Sequence, residues 1–322
     1  MSTTILKNLP LIAFLLFNAP AGISFVSHID HFESGREYFY QGKTKEARIE
    51  FRKSERLNPR LDEIDKQLAA EVIRYLKEIK EKERHAASSR YTAARDHEAK
   101  GNFIAAGRAY RELIEQYPGS KEVTSALDGL YRVATGILKD EDRPRLFAES
   151  NYSRARRLFQ FLSERLPFGE KAARVQYKIG LSYFYDDDFP KAALHYKRVI
   201  ENYPQSPYAE KALFGIAMAY LNQSTAPPRD QTMTRRAREK LRNFQQLFPD
   251  SPLQKDAEEK LFSLNEQLAE HLYRIGTFYK RQGELAAAKI YYESILNDYS
   301  ETSWAAPGRD RLNELTTKAA VR

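Results

Sequence analysis

The feature that most constrains the fold of this chain is a short signature of residue types that recurs along its length. A small residue is followed three positions later by an aromatic residue, then by a turn and an alanine. An aromatic residue or leucine stands four positions after the alanine, and a proline stands twelve positions after it. One copy comprises Gly180, Tyr183, Ala192, Tyr196 and Pro204. A signature that returns in this way predicts an array of equivalent structural units.

The other copies keep the same order of residue types. They are Gly35, Tyr38, Gly42, Ala47, Phe51 and Pro59; Ala94, His97, Gly101, Ala106, Tyr110 and Pro118; Ala217, Tyr220, Ala237, Leu241 and Pro249, with an insertion; and Gly276, Tyr279, Gly283, Ala288 and Tyr292, with Ser300 in place of proline. A degenerate copy retains its second half at Ala155, Phe159 and Pro167, whereas its first half, near residues 121–139, has no clear register.

Each copy predicts two antiparallel helices of about 12–15 residues. Small residues let the two backbones approach, aromatic rings fill the space between neighbouring pairs, and proline ends the second helix. One pair cannot bury its own apolar face, so the pairs must stack. The spacing resembles that of the tetratricopeptide family. The sequence therefore predicts an all-α tetratricopeptide-repeat solenoid, a right-handed superhelix of about six antiparallel helix pairs.

The signature also predicts the domain boundaries. We assign residues 28–59 to repeat 1, 60–84 to a helical extension, 85–167 to repeats 2 and 3, 168–304 to repeats 4–6, and 305–322 to a capping helix and tail. Helix pairs are expected near residues 28–58, 86–117, 121–166, 170–203, 208–248 and 268–299. Polar loops that contain proline are expected at residues 140–149 and 223–232.

The extension is amphipathic. Its apolar residues share one side of a helix and are Leu61, Ile64, Leu68, Val72, Leu76 and Ile79. We expect this segment to lengthen the first helix of repeat 2. A partner helix in a coiled coil is the alternative.

The N-terminus has the layout of a secretory signal peptide, which we place at residues 1–24. Lys7 precedes the short apolar run at residues 9–17, and small residues follow it. The run is shorter than a membrane-spanning helix needs, and cleavage is expected after Ala21 or Ser24. An uncleaved membrane anchor is the alternative. We therefore expect the chain to be exported.

The residues that carry chemistry are sparse. The chain has no cysteine, which excludes disulfides and thiol catalysis, and its six histidines lack metal-ligand spacing, so no cofactor and no metal are expected. Asp186, Asp187 and Asp188 are predicted to form a turn and a helix N-terminus, with a calcium site as the alternative. The net charge of +8 is spread along the chain, so a solvated helix surface is favoured over nucleic-acid binding.

The strongest candidate for a binding surface is a column of aromatic residues. The fifth position of the first helix is aromatic in every clear repeat: Phe32, Tyr91, Tyr177, Phe214 and Tyr273. Phe184 and Tyr185 are expected nearby on the same face. Such a column on a concave surface can hold an extended peptide, because rings supply a large contact area at little entropy cost. The alternative, equally favoured, is that the rings only pack helix against helix.

The C-terminal half resembles a narrower family. Three segments carry the resemblance: P-x-S-x-x-x-x-D-A at Pro249–Ala257, L-A-E-H at Leu268–His271, and F-Y-K-R-Q-G at Phe278–Gly283. They are similar to the last two repeats of the BamD (YfiO/ComL) family, and the close similarity covers roughly residues 170–312. The Arg229–Asp230 pair agrees with it.

The resemblance implies a periplasmic role in assembling outer-membrane β-barrels. Members of that family are lipoproteins whose C-terminal repeats dock on the barrel-forming subunit, while the N-terminal repeats are linked to substrate recognition. The partners implied here are that subunit, unfolded outer-membrane proteins, or both. Because the chain lacks the lipid-bearing cysteine, we expect it to attach to the outer membrane through a partner.

The resemblance also marks polar residues as a docking patch. They are Asp256, Glu270, His271, Lys280 and Arg281. Two alternatives need no partner: Glu270 pairs with Arg274 on the helix surface, and Lys280 and Arg281 neutralise helix-end carbonyls.

Two further functions compete with this interpretation. One is a periplasmic adaptor for a division, pilus or secretion complex, since a fold alone does not settle function. The other is an enzyme with a repeat domain, which is disfavoured because no nucleophile–base set is found. We therefore predict a scaffold that is not an enzyme.

Overall fold

The computed structural model describes residues 23–57, 63–139, 149–223 and 231–320, and every regular element in these ranges is an α-helix. Residues 1–22 of the predicted signal peptide and most of the two predicted loops lie outside them. The described residues belong to two compact units. Unit 1 comprises Met1–Ala93 with Leu113–Val123, and unit 2 comprises Ala94–Glu112 with Thr124–Arg322.

The described part of the chain contains thirteen helices. They are α1 (Ile23–Tyr40), α2 (Thr44–Arg56), α3 (Glu63–Ala99), α4 (Phe103–Gln116), α5 (Val123–Lys139), α6 (Asn151–Arg165), α7 (Gly169–Tyr185), α8 (Phe189–Asn202), α9 (Pro207–Gln223), α10 (Thr232–Leu247), α11 (Gln254–Arg281), α12 (Leu285–Asp298) and α13 (Ala305–Ala320).

These helices form six consecutive pairs, α1/α2 to α11/α12, followed by α13 as a cap. The all-α array of helix pairs predicted from the signature is thereby confirmed, whereas its right-handed twist stays a prediction. Two first helices are long. Helix α3 has 37 residues and includes most of the amphipathic extension. Helix α11 has 28 residues and begins at Gln254, well before the expected residue 268, because no breaker interrupts the stretch between them.

The signature residues of the second helices form the interior. The alanine of each copy is fully buried, at Ala47, Ala106, Ala155, Ala192, Ala237 and Ala288. The large residue four positions later is also buried, at Phe51, Tyr110, Phe159, Tyr196, Leu241 and Tyr292. Two residues that are four positions apart lie on the same face of a helix. Since both are buried, this is the face that packs against the first helix.

Small residues of the first helices make room for these rings. A Cβ atom built on Gly180 would lie 2.7 Å from the Tyr196 ring, and one built on Gly215 of the next pair would lie 2.8 Å from the same ring. Both distances are too short for a real contact. The Tyr196 ring therefore fills the space between two successive first helices, and any side chain at either glycine would collide with it.

In the four pairs whose turn the structure describes, a left-handed residue stands five positions before the buried alanine. Gly42, Gly101 and Gly283 take this place with φ between +73° and +81°. In the fourth pair the residue there is Asp187, with φ of +58°. Aspartate tolerates this conformation better than most residues, which explains why the acidic run occurs at this turn.

Unit 1 has its own core, in which α3 packs on the first pair. Phe39 and Phe51 contact the Tyr75 ring, with centroids 5.0 and 5.1 Å away. Val72 and Ile79 of α3 are buried in the same cluster. The amphipathic extension therefore provides the apolar face that covers α1 and α2.

In unit 2 each helix from α6 onwards packs on the next one in the chain, and α7 also contacts α9. Among the described residues, no helix combines the length and the apolar character that crossing a bilayer requires.

Candidate protein-binding surface

The predicted aromatic column lies at the contact between the two helices of each pair. Phe32 is 3% exposed, and its ring lies 5.9 Å from Phe51 and 6.2 Å from Tyr75. The prediction that Phe32 lines an open groove is therefore wrong. Residues of α3 cover the Phe32 ring. The sequence predicted this helix but did not show that it would pack on Phe32.

The later members of the column also contact a ring of their own pair. Tyr177 lies 5.4 Å from Tyr196, Phe214 lies 5.5 Å from Phe244, and Tyr273 lies 5.7 Å from Tyr292. These three rings, and that of Tyr91, are partly buried. Burial raises the pKa of Tyr177 to about 12. Packing between helices thus accounts for much of the aromatic column, and only the partly exposed rings remain available to a partner.

Tyr185 is the most accessible of the predicted aromatic residues. Its side chain is 48% exposed, and its ring lies 5.6 Å from Tyr152 of α6. Phe184 points the other way and packs against Phe189 at 5.4 Å. At the end of α7, therefore, one ring is free to contact a partner and the adjacent one supports the turn.

Beside Tyr177 the structure brings together basic groups that the sequence did not single out. We define the basic–aromatic face as seven residues of α5, α7 and α9. They are Tyr131, Lys139, Arg174, Tyr177, Lys178, Tyr208 and Lys211. The Arg174 guanidinium lies 3.9 Å from the centre of the Tyr131 ring, and the Lys211 ammonium lies 5.4 Å from that of Tyr208. The Tyr177 and Tyr208 rings are 5.6 Å apart.

The cations of this face repel one another. Burial, and then repulsion from Lys139, Lys211 and Arg174, lower the pKa of Lys178. The Arg174 Nε atom is buried and has no hydrogen-bond partner among the described residues. None of these four cations has an ion-pair partner in the part of the chain that the structure describes.

The basic–aromatic face suits a polypeptide with carboxylate and aromatic groups. A carboxylate would relieve the repulsion around Lys178 and supply the acceptor that Arg174 lacks. Aromatic side chains can lie against the exposed parts of Tyr177 and Tyr208. Within α7, Arg174, Tyr177 and Lys178 follow the i, i+3, i+4 spacing that the sequence could have revealed. Lys139 and Lys211 come from other repeats, so only the fold brings them together.

The predicted C-terminal docking patch is partly engaged within the chain. Glu270 and Arg274 form an ion pair at 2.5 Å, as the first alternative predicted. Lys280 pairs with Glu314 of the capping helix α13, and Glu314 also accepts from Arg311 at 2.8 Å. Lys280 therefore ties α11 to α13 within the chain, which neither the docking patch nor the helix-end alternative predicted.

The other patch residues are less engaged. Asp256 lies in the first turn of α11, where a carboxylate is favoured by the helix dipole. Burial, and then repulsion from Arg235 and Arg274, lower the pKa of His271. Arg281 is exposed in the last turn of α11. Of the five patch residues, Arg281 presents its charge most openly to solvent.

A polar network joins α6 to the fourth pair. Arg156 donates to Asp186 at 2.9 Å and lies 4.1 Å from the centre of the Tyr183 ring. Tyr183 stacks on His195 at 5.1 Å, and Gln176 bonds to the same imidazole at 2.8 Å. The Asp188 side chain accepts a hydrogen bond from the backbone N–H of Lys191 and caps the N-terminus of α8. The acidic run thus forms a turn and a helix cap, as predicted.

His195 makes the stability of this network depend on pH. Burial, and then repulsion from Arg198 and Arg156, lower the pKa of His195 from 6.5 to about 4. The unfolded state therefore binds the proton more readily than the folded state. The free energy of unfolding is highest above about pH 6.5 and decreases as pH falls from about 6.5 towards about 4.

We expect His195→Gln to flatten this dependence. Between about pH 7.5 and about pH 5, wild type should lose roughly 1 kcal/mol more stability than the variant, after allowance for solvent screening. Urea midpoints measured at both pH values test the difference. Parallel losses in the two proteins would show that His195 titrates normally in the folded state.

Among the described residues, no group of histidine, aspartate and glutamate side chains could hold a metal ion. The calcium alternative for the acidic run therefore has no support from the geometry.

Comparison with known proteins finds a family that is similar to the C-terminal half of the chain. A family model described as "YfiO: Outer membrane lipoprotein" matches residues 144–316, which is more than half of the chain. The matched segment begins seven residues before α6 and ends within α13. It includes α7 and α9 of the basic–aromatic face and omits α5 and unit 1.

Curated relatives agree with the family model. An outer membrane protein assembly factor BamD of Caulobacter vibrioides is 27% identical over 164 residues, which cover 51% of this chain and 54% of that protein. One from Neisseria meningitidis is 26% identical over 185 residues, covering 52% and 69%. A putative one from Aquifex aeolicus is 30% identical over 154 residues, covering 48% and 49%. The chain thus spans about half the length of the first of these relatives.

Solved structures with a similar chain include the C-terminal part of a TPR repeat-containing protein from Cytophaga hutchinsonii. It is 16% identical, covers 86% of this chain and 98% of its own, and has a TM-score of 0.39.

Proposed function

The chain belongs to the YfiO family of outer membrane lipoproteins, and we propose that it is a protein-binding component in the assembly and insertion of outer-membrane proteins. The names of the curated relatives support this proposal, since they are outer membrane protein assembly factors. In this role the chain holds other proteins and catalyses no reaction.

The location follows from the same proposal. The chain is exported by residues 1–24 and acts in the periplasm beside the outer membrane. It has no cysteine to carry the lipid of a lipoprotein. Contact with another protein of the assembly machinery, such as its barrel-forming subunit, therefore holds it at the membrane.

The basic–aromatic face is the observation that carries the proposal. Four cations without ion-pair partners among the described residues stand beside aromatic rings on the first helices of three successive pairs. An unfolded polypeptide offers carboxylates and aromatic side chains at variable spacing. Rings and long basic side chains can adapt to such a client without a single fixed geometry.

The test is to bind an unfolded client to the purified full-length chain. A labelled outer-membrane porin is diluted out of urea, and its binding to wild type is measured by fluorescence anisotropy. We expect K178E/K211E to weaken this binding by about tenfold or more, because carboxylates of the client would then face like charges. The control K197E/K289E makes the same change in charge at exposed lysines of α8 and α12.

Two results would contradict the proposal. One is the absence of porin binding by wild type. The other is equal loss of binding in K178E/K211E and in the control, since net charge alone would then explain it.

A further inference from the structure

Unit 1 contains a large open cleft that lies outside the family-matched segment. Its volume is about 1080 Å³, and it is lined by α2, by the middle of α3 and by residues 115–122. This volume is at or above the roughly 300–1,000 Å³ of pockets that bind small molecules. The cleft is therefore large enough for a segment of a macromolecule.

Both helical walls of the cleft show the same pattern. On α2, Lys45, Arg48, Ile49 and Arg52 line the cleft, at positions i, i+3, i+4 and i+7 of one face. Ile49 is 54% exposed, although an isoleucine on a helix surface usually faces a core.

The α3 wall repeats this arrangement with Ile73, Leu76, Lys77 and Lys80. Ile73 is 60% exposed. Each wall thus presents an exposed isoleucine with two or more cations within two helical turns of it.

Most of the exposed charge of the cleft is basic. Five exposed cations that line it have no ion-pair partner among the described residues: Lys45, Arg52, Lys77, Lys80 and Lys121.

The acids of the cleft are already engaged or covered. Glu81 pairs with Arg84 and Glu83 pairs with Arg48. Glu115 has an interaction within the chain, and Glu122 is only 7% exposed. Positive charge therefore faces any occupant along both walls.

The lining favours a protein segment over a nucleic acid. Bases bind on exposed aromatic rings. Among the described residues that line this cleft, Tyr117 alone has a ring, and that ring already lies 5.8 Å from the Arg90 guanidinium. Aliphatic side chains between two helices are instead suited to the apolar stripe of a third helix.

We propose that this cleft binds an acidic amphipathic helix of a partner protein. The apolar stripe of that helix lies on Ile49 and Ile73, and its flanking carboxylates meet Arg52 and Lys80. The interaction is independent of the function proposed for unit 2, because every residue that lines the cleft belongs to unit 1.

The test uses the full-length chain and a designed, fluorescein-labelled peptide with leucines at i, i+3, i+4 and i+7 and glutamates on both flanks. Wild type should bind this peptide saturably. A scrambled peptide of the same composition should bind about tenfold more weakly, because it cannot place its leucines on one face.

Two variants locate the binding. R52E/K80E should weaken it by about tenfold or more through like-charge repulsion, and I49S/I73S should weaken it severalfold through lost apolar contact. The control K100E/R309E changes the charge equally at exposed residues that do not line the cleft. Since all these positions are exposed, melting temperatures should stay close to that of wild type.

The proposal is overturned by any of three results. The scrambled peptide could bind as well as the designed one, or R52E/K80E could bind the peptide as wild type does. The third is that wild type fails to bind the designed peptide; binding of phosphatidylglycerol vesicles or single-stranded DNA instead would assign the basic charge to a lipid surface or a nucleic acid.

Discussion

Tyr196→Ala is expected to lower the free energy of unfolding by about 3–5 kcal/mol, the usual cost of deleting a buried aromatic ring. The ring is 2% exposed and fills the space between Gly180 and Gly215. Neither glycine has a side chain that could move into the cavity. The loss should therefore lie at the upper end for substitutions of this kind, since the cost rises with the volume that cannot collapse.

Two controls separate packing from other effects of this change. Tyr196→Phe keeps the ring and should stay much closer to wild type. Phe168→Ala removes a ring that is 85% exposed and should change stability by less than about 0.5 kcal/mol. Urea unfolding followed by circular dichroism measures all three variants. A loss below about 1 kcal/mol for Tyr196→Ala would show that the cavity is filled or the pairs are spaced differently.

Much of the fold could be predicted because the residues that determine each helix pair lie within that pair's own repeat. Ala192 and Tyr196 stand four positions apart, and Pro204 follows two residues after the last residue of α8. Each of these constraints is local, since helix periodicity places side chains on a face and proline ends a helix. Repetition of the pattern then determines the stacking, because neighbouring pairs present the same surfaces.

The candidate binding surface was harder to predict because it depends on contacts between repeats. Lys139 and Lys211 are far apart in sequence and become neighbours of Lys178 only when three pairs stack. The same reason explains Lys280, whose partner Glu314 lies 34 residues away on the capping helix. A polar residue that appears free in the sequence can therefore be committed to a tertiary ion pair.

Phe32 illustrates the opposite error. Its position in the first helix of the repeat matches that of Tyr177 and Tyr273, which remain partly exposed. Tyr75 of the extended helix α3 covers Phe32 in the core of unit 1. Equivalent positions in a repeat protein thus differ in exposure wherever an added helix packs on one pair.

Ala192→Phe tests the packing of the same core in the opposite way, because it adds a ring where there is no space for one. Ala192 is fully buried in the cluster that contains Tyr196, Val199 and Ala212. Its backbone N–H is bonded to the Asp188 carbonyl at 2.9 Å, in the first turn of α8, so the helix cannot shift without losing its cap.

The phenyl ring must therefore displace packed side chains, and overpacking of this kind costs about 1–3 kcal/mol or more. The matched control is Ala286→Phe, which makes the same substitution near the start of α12 at an exposed position. We expect the control to change the urea midpoint very little, while Ala192→Phe lowers it clearly. If the two variants unfolded at the same urea concentration, Ala192 would not lie at the close contact between helices that the signature predicts, and the register of the fourth pair would be wrong.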